Sequence, residues 1–421
     1  MKIWVDKNYL GCYFVLFLAF ANDSFRFTSS GLTSFYRLVS PFLIFLLLFK
    51  GISIYFNVFK VFFMFMVYSL LTSLIYYGQI QYEYYLFAGY LLIEYIIIRY
   101  LKEKMGKTFT VNFYRFLDKI GIFLIIAGFF QMIYRFTFPF VKLPVEHGIN
   151  LFFSNENELA APLAALGIIY IFTFYFMKKK QDGIKFICAF FILFINDAKL
   201  SIIGVALALI ILFFAFLFSK RCLRREMTGK LKTCLIMMIV LAIIFFLTFF
   251  EIEFWFRDYK INLGELIVNS WKAIIQGKTI SKGGSIADRT DAIIYALLEL
   301  KNSWFLGIGW GNSVYMLTLP QYTLLTAKSM HNILAQFLCE FGFLAILAYT
   351  YVLGRLFFHI KKANKNWISF LKVVYAISFI FISSQSSIGI LSNYMLWAIT
   401  IYIIFIDNNE NIYPNDINKN R

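Results

Sequence analysis

The chain has 421 residues, of which 61% are hydrophobic and 15% are charged, and its formal net charge is +17. Soluble globular domains are roughly half apolar and about one quarter charged, so this composition excludes an ordinary soluble globule. The basic residues gather in short loops between apolar runs, which favours membrane topology over nucleic-acid binding as the origin of the positive charge.

Apolar runs long enough to cross a bilayer recur along the chain. A helix of about 17 to 25 apolar residues spans the hydrocarbon core and satisfies its own backbone there. The sequence therefore predicts an all-α, polytopic integral membrane protein with about twelve transmembrane helices. They cover residues 9–21, 32–49, 58–77, 82–100, 116–136, 159–177, 184–197, 199–218, 231–250, 331–354, 367–385 and 388–406. Because no linker, low-complexity tract or clear repeat divides the chain, we expect one membrane domain over residues 1–421.

Four basic loops determine the expected orientation, because short loops rich in Lys and Arg resist translocation. With the predicted spans, all four lie on one side together with both termini, and that side is expected to be the cytoplasm. The loops are residues 99–119, 178–185, 220–232 and 355–372. The N-terminus also resembles a signal peptide ending at Ala19-Phe20-Ala21, but an uncleaved first helix is favoured.

The longest predicted loop on the opposite side, residues 251–330, is expected to form a subdomain, because loops of this size usually carry function. In the middle of this loop, apolar residues recur at helical spacing from Ser285 to Lys301. This pattern predicts an amphipathic helix on or near the membrane. The basic turn Lys282-Gly283-Gly284 precedes this helix, and the glycine-rich stretch Trp304–Gly311 follows it. Those glycines permit either tight backbone packing or close approach of a ligand.

His331 and Asn332 stand at the exported start of the next predicted span, residues 331–354, which is expected to be one continuous helix. Asn332, Gln336 and Glu340 recur every four residues and form a polar stripe. Since lipid penalises such a stripe, it should face the bundle interior or a wet cavity. His331 fits either a helix cap or a functional imidazole, and Glu340 fits either a structural carboxylate or a functional one.

A second polar cluster, Asn196-Asp197-Ala198-Lys199, separates two apolar runs on the exported side. It fits a helical hairpin turn with an ion pair about as well as a substrate site. No D-x-D or EF-hand pattern accompanies the acidic residues, so no metal site is predicted.

Three of these segments together resemble the O-antigen polymerase and O-antigen ligase family of bacterial envelope glycosyltransferases, the Wzy-like proteins. His331-Asn332 followed by Glu340-Phe341-Gly342 resembles the family's H-N-x-x-L…E-x-G-x-x-G pattern. Asp288-Arg289, a helix and then Leu306–Gly311 resemble its R…W…P-x-x-G-x-G-x-G segment. Asn196–Ser201 stands where such proteins carry a T-x-S-R or S-K element.

The resemblance implies transfer of a glycan from an undecaprenyl-pyrophosphate carrier to a sugar hydroxyl, on the periplasmic side of the bacterial inner membrane. It implies no nucleotide or metal cofactor, because the lipid diphosphate already activates the sugar. The implied partners are the lipid-linked donor and acceptor, the bilayer and a chain-length regulator protein, with no nucleic acid.

The candidate catalytic residues are Arg289 and His331. A guanidinium can bind the diphosphate and stabilise the charge that develops as it leaves. An imidazole can accept the proton of the acceptor hydroxyl near neutral pH. The candidate residues for binding the pyrophosphate or the glycan are Lys199, Lys282, Arg257, Asn332 and Glu340. The last two could instead orient neighbouring groups.

Polymerisation of lipid-linked repeat units, for O-antigen or a related surface polysaccharide, is the favoured function. An O-antigen ligase, which transfers the glycan to lipid A-core, shares these motifs and this chemistry and stays an alternative. A polysaccharide flippase or other transporter is the second alternative. Transporters tend to spread polar residues through their spans and often show repeat symmetry, whereas here the polar residues gather on the predicted exported side.

Overall fold

Almost all of the described chain is helical. The computed structural model describes residues 9–21, 36–42, 56–134, 148–153, 156–196, 198–218, 254–256, 259–261, 284–319, 330, 332–363, 367–384 and 392–406. Its α-helices, numbered here in chain order, are α1 (Leu10–Phe20), α2 (Phe56–Tyr77), α3 (Tyr82–Met105), α4 (Phe109–Tyr134), α5 (Glu156–Met177), α6 (Lys180–Ile195), α7 (Lys199–Phe218), α8 (Gly284–Asn302), α9 (Asn312–Met316), α10 (Ile333–Phe341), α11 (Phe343–Ala363), α12 (Trp367–Ile382) and α13 (Tyr394–Phe405).

Three stretches of the described chain are long and apolar enough to cross a membrane: Val58–Tyr77, Tyr82–Ile133 and Glu156–Met177. The second contains α3 and α4, which are joined by a single 3₁₀ turn. Shorter apolar helices are Leu10–Phe20, Lys199–Ala215, Phe343–His359, Trp367–Ile382 and Tyr394–Phe405. These helices indicate an integral membrane protein, and the number of twelve spans stays a prediction. The predicted span 231–250 lies outside the described residues.

A short β-hairpin lies within the predicted large loop. Strand β1 (Phe254–Phe256) pairs antiparallel with strand β2 (Tyr259–Ile261). These two strands are the β-structure of the described ranges, and the all-α prediction did not include them. Each strand has only three residues, which is too short to produce a recognisable alternation of apolar and polar residues.

The chain divides into two compact units. The first contains Met1–Met64, Tyr82–Val205 and Leu356–Arg421, and helix α5 forms its core. Every residue of α5 from 158 to 173 is buried, and the helix packs against α6, α12 and α13. A helix that is apolar on all sides suits this central position, and its alanines allow neighbouring helices to approach closely.

The second unit contains Phe65–Gln81 and Ala206–Arg355, which include every candidate site residue except Lys199. The helix predicted from Ser285 to Lys301 is α8, and it packs against α10. Its Ala296 is buried and its Leu297 is exposed, as an amphipathic helix requires. The buried apolar cluster between these elements consists of Ala296, Ile308, Met316, Leu317, Met330 and Cys339.

The prediction of one continuous helix over residues 331–354 is wrong. Helix α10 ends at Phe341, and α11 begins at Phe343. Gly342 between them has φ 52° and ψ −123°, a conformation that interrupts a right-handed helix. The backbone N–H of Phe343 donates to the carbonyl of Phe305 at 2.7 Å rather than to the preceding helical turn. The polar stripe therefore lies on a separate helix of nine residues.

Candidate functional site

The glycine-rich stretch after α8 follows a backbone path that side chains rarely allow. Gly307, Gly309 and Gly311 have φ values of 86°, 85° and 80°. Trp304 and Phe305 also have positive φ, at 52° and 62°, although neither is a glycine. Positive φ costs non-glycine residues conformational energy and persists where the surroundings enforce it. The stretch is thus held in a specific conformation rather than connecting α8 to α9 as a loose loop.

Two of these glycines allow close approach to protein backbone. A Cβ atom on Gly307 would lie 2.5 Å from the carbonyl oxygen of Glu340, and one on Gly309 would lie 2.6 Å from the backbone nitrogen of Ser73. The backbone N–H groups of Ile308 and Gly309 donate to the carbonyls of Cys339 and Glu340, at 3.1 and 2.9 Å. Of the two roles that the sequence left open for these glycines, the described contacts favour backbone packing.

Helix α2 holds the other side of the glycine-rich stretch through hydroxyl groups. The Tyr76 hydroxyl donates to the Ser303 carbonyl at 2.8 Å, and the Tyr68 hydroxyl donates to the Leu306 carbonyl at 2.6 Å. The backbone N–H of Trp310 donates to the Ser69 hydroxyl at 2.7 Å. These residues were missed in the sequence. The hydroxyls of α2 lie on a span that otherwise reads as an ordinary transmembrane helix, and their partners are more than 220 residues away.

Glu340 is fully buried at the junction of α9, α10 and the glycine-rich stretch. Its Oε1 accepts hydrogen bonds from the Ser313 hydroxyl and from Gln336 Nε2, the latter at 3.0 Å. The Asn312 amide donates to the Ile308 carbonyl at 2.7 Å. Among the described residues, Glu340 Oε2, Gln336 Oε1 and Asn312 Oδ1 have no hydrogen-bond partner. The carboxylate therefore links α10 to the start of α9, and it retains unused acceptor capacity.

Aromatic rings close the apolar side of this junction. The Trp310 ring packs against Phe341 and Phe337, with centroid separations of 5.2 and 6.1 Å, and Phe65 packs against Phe341 at 5.8 Å. The rings meet edge to face, which is a favourable geometry for aromatic pairs. They pack Phe341, the residue that follows Glu340, against Trp310 and Phe65.

Asn332 is the N-cap of α10. Its side-chain oxygen accepts hydrogen bonds from the backbone N–H groups of Leu334 and Ala335, at 3.1 and 3.0 Å. Such a cap satisfies donors that the first turn of a helix leaves unpaired. The side chain is half-buried, and the cap fixes the backbone immediately after position 331.

The structure places the remaining candidates in different parts of the chain. Arg289 lies on α8, the helix that packs against α10. Lys199 begins α7 in the first unit and is exposed. His331, Lys282 and Arg257 lie outside the described residues. The structure therefore brings together the helices that carry Arg289, Asn332 and Glu340.

Asn196 has a structural role. Its amide oxygen accepts from the Ile149 N–H and its amide nitrogen donates to the Ile149 carbonyl, both at 2.8 Å. This double hydrogen bond attaches the turn between α6 and α7 to the segment before α5. The ion pair predicted for this turn involves Asp197, which lies outside the described residues.

One stretch of the chain matches a known family. Residues 184–350 match the family model described as O-Antigen ligase, and this stretch contains every candidate site residue. No curated protein and no solved structure matches the chain. The chain therefore carries a domain of the O-antigen ligase family over residues 184–350, the family that its motifs resemble.

Proposed function

We propose that this protein polymerises lipid-linked oligosaccharide repeat units on the periplasmic side of the inner membrane. In each cycle, a hydroxyl oxygen of the acceptor sugar forms a bond to the anomeric carbon of the donor sugar. The bond between that carbon and the diphosphate oxygen breaks, and undecaprenyl diphosphate leaves with the electron pair. The acceptor proton passes to a protein base, so no metal or nucleotide is required.

The packing of α8 against α10 is the observation that carries this proposal. Ala296 of α8 and Met330, which precedes His331, belong to one buried cluster. Arg289 precedes Ala296 by seven residues on the same helix, about 10 Å along its axis at 1.5 Å per residue. The helix that carries Arg289 thus packs against the helix that follows His331 in the chain, and this packing supports the assignment of the two residues to one site.

Arg289 and His331 are the proposed catalytic residues. A guanidinium presents parallel donors that match two phosphate oxygens, and in a dry site it stabilises the leaving charge strongly. The imidazole accepts the hydroxyl proton. Lys199, Lys282 and Arg257 are proposed to add positive charge along the path of the lipid diphosphate.

Asn332 and Glu340 are proposed to position this machinery rather than to contact the glycan. Glu340 is fully buried and accepts its described hydrogen bonds from Ser313 and Gln336. Asn332 caps the helix that follows His331. Together they hold both ends of α10, the helix that follows His331 in the chain.

An O-antigen ligase is the second candidate, and the description of the matching family favours it. The donor and the chemistry are the same, and only the acceptor differs. A ligase uses a sugar of lipid A-core, whereas a polymerase uses a sugar of a second lipid-linked repeat unit.

Reconstitution of the full chain in proteoliposomes tests the proposal. The donor would be lipid-linked repeat units extracted from a producing strain that lacks this gene, offered with or without lipid A-core and without ATP. A ladder of longer lipid-linked glycans is the expected product. Transfer to lipid A-core without a ladder would identify a ligase, and translocation without bond formation would identify a transporter.

Two variants and a matched control test the catalytic residues. R289A and H331A should each abolish chain extension at unchanged membrane levels. K301A removes an exposed cation near the other end of α8 and should extend chains at the normal rate. Retained long chains in both R289A and H331A would overturn the assignment of the site.

A further inference from the structure

A cleft in the first unit, far along the chain from the proposed catalytic residues, combines an apolar lining with two cations. It opens to the surface and encloses about 40 Å³, so it can hold a small charged group while the rest of a ligand would lie along its rim. The lining comes from the start of α4, the end of α5, the start of α12 and the end of α13. The charge distribution assigns all four of these helix ends to the basic side of the protein.

Arg115 and Lys179 supply the positive charge of the cleft. Neither has an acidic group within ion-pair distance among the described residues. The Lys179 ammonium lies 4.6 Å from the centre of the Tyr114 ring. Burial lowers the pKa of Lys179, because its charged form is poorly solvated, although Asp182 and Asp118 oppose this effect. An added anion would compensate for the lost solvation.

A neighbouring charge cluster is already almost balanced. The Lys185 ammonium lies 2.6 Å from Asp118 and 2.9 Å from Asp182, and Asp182 also accepts hydrogen bonds from the Tyr114 and Thr173 hydroxyls. Three cations (Arg115, Lys179 and Lys185) against two carboxylates leave a net charge of +1. One singly charged phosphodiester would neutralise it.

Half of the lining residues are apolar, among them Val111, Trp367 and Leu371 from two different helices, and the others besides the two cations carry hydroxyl groups (Thr110, Tyr114, Thr173 and Tyr402). The ligand therefore needs an apolar part as well as one negative charge. The backbone around Lys179 also has a defined conformation. Lys178 has φ 55°, a strained value for a lysine, and Lys179 follows it in extended conformation at the N-cap of α6.

We propose that this cleft binds an anionic phospholipid of the adjacent leaflet, with the phosphodiester between Arg115 and Lys179 and an acyl chain along the apolar lining. Basic pockets between transmembrane helices on the cytoplasmic side are suited to such headgroups. The site is distinct from the proposed site of glycan transfer and does not depend on it.

Native mass spectrometry of the purified full chain tests the proposal. The protein in a zwitterionic detergent would be titrated with phosphatidylglycerol or with phosphatidylcholine of the same chain length. The wild type should retain phosphatidylglycerol preferentially. The R115Q/K179Q variant should bind it roughly 20-fold more weakly, because each cation near a phosphate contributes a several-fold effect. K180Q changes an exposed lysine of the same loop and should bind like the wild type.

Two further arms address the apolar part and the folding of the variants. V111W fills the apolar lining while leaving both cations, and it should also abolish the preference for phosphatidylglycerol. Soluble glycerol 3-phosphate should not compete at comparable concentration. Equal affinity in the wild type and in both R115Q/K179Q and V111W would overturn the proposal, as would full competition by glycerol 3-phosphate, which would indicate a site for small anions.

Discussion

Gly307 and Gly342 lie so close together that neither position has room for a side chain. A Cβ atom on Gly307 would be 2.7 Å from the nitrogen of Gly342, and one on Gly342 would be 2.6 Å from the nitrogen of Gly307. The obstacles are backbone atoms, which cannot rotate away as a flexible side chain can. The junction between the glycine-rich stretch and the break in the helix is therefore specified by two residues 35 positions apart.

The first prediction concerns this contact. G307A should lower the free energy of unfolding by more than about 2 kcal/mol, because alanine at positive φ is strained and its Cβ collides with backbone. Thermal unfolding of the purified protein in detergent measures the effect. G354A is the control, since a Cβ there meets nothing within 4 Å and alanine stabilises a helix by about 1 kcal/mol relative to glycine. Equal melting temperatures for the two variants would contradict the described junction.

The second prediction concerns the Glu340 carboxylate. E340L leaves the Ser313 hydroxyl and the Gln336 amide without their buried acceptor, and should reduce stability by about 2 to 5 kcal/mol. E340Q retains one acceptor oxygen and should lose clearly less. E103Q, which alters a half-exposed carboxylate paired with Arg99, should change stability by less than about 1 kcal/mol. If E340L unfolds at the same temperature as the wild type, Glu340 does not connect these elements.

The third prediction distinguishes the effect of the α10 N-cap on the rate of chain extension from its effect on the stability of the protein. N332A removes two hydrogen bonds to the first turn and should cost about 1 kcal/mol. It should also lower chain extension several-fold, because Asn332 is proposed to position the catalytic machinery. N332D retains an acceptor and should restore both properties.

The matched control for this cap is N393A. Asn393 caps α13 in the first unit, where its side chain accepts from the Leu396 N–H at 3.1 Å. N393A should lose at least as much stability, because the Asn393 amide also donates to the Glu158 carbonyl at 2.6 Å, while each folded molecule keeps its rate of extension. A similar loss of rate in N332A and N393A would show that the cap acts through stability alone.

The fourth prediction tests the hydroxyl contacts of α2. Y68F and Y76F each remove one hydrogen bond to a backbone carbonyl, that of Leu306 in the glycine-rich stretch and that of Ser303 immediately before it, at an expected cost of about 1 kcal/mol apiece. The double variant should lose about the sum, as judged by thermal unfolding. Y351F, at an exposed position of α11, should melt like the wild type. A double variant as stable as Y351F would refute the contribution of these contacts.

Much of the helical framework could be predicted from the sequence, because apolar runs of membrane length have few alternatives. The predicted run 199–218 coincides with α7, and the predicted helix from Ser285 to Lys301 differs from α8 by one residue at each end. The resemblance also pointed to the family whose model matches residues 184–350. The roles of these residues, the orientation in the membrane and the 251–330 subdomain stay predictions.

The break at Gly342 and the contacts of α2 were not predictable in the same way. Both depend on tertiary contacts between distant segments, such as Phe343 with Phe305 and Tyr68 with Leu306. The hydropathy profile shows no break at residue 342, because a single glycine hardly changes the mean hydropathy of a span. The one signal in the sequence was Gly342 itself. Its need for positive φ can be recognised only when the segment that packs against it, around Gly307, is known.

The hydrogen bond from Trp310 to Ser69 joins residues that are 241 positions apart. At about 5 to 20 residues per second, a ribosome needs on the order of 12 to 50 seconds to add that length of chain. During this interval the nascent α2 is already made, yet the stretch that forms hydrogen bonds with its hydroxyl groups has not been synthesised. The second unit can therefore assemble only late in biosynthesis, and a chain truncated before residue 303 would leave α2 without its partners Ser303, Leu306 and Trp310.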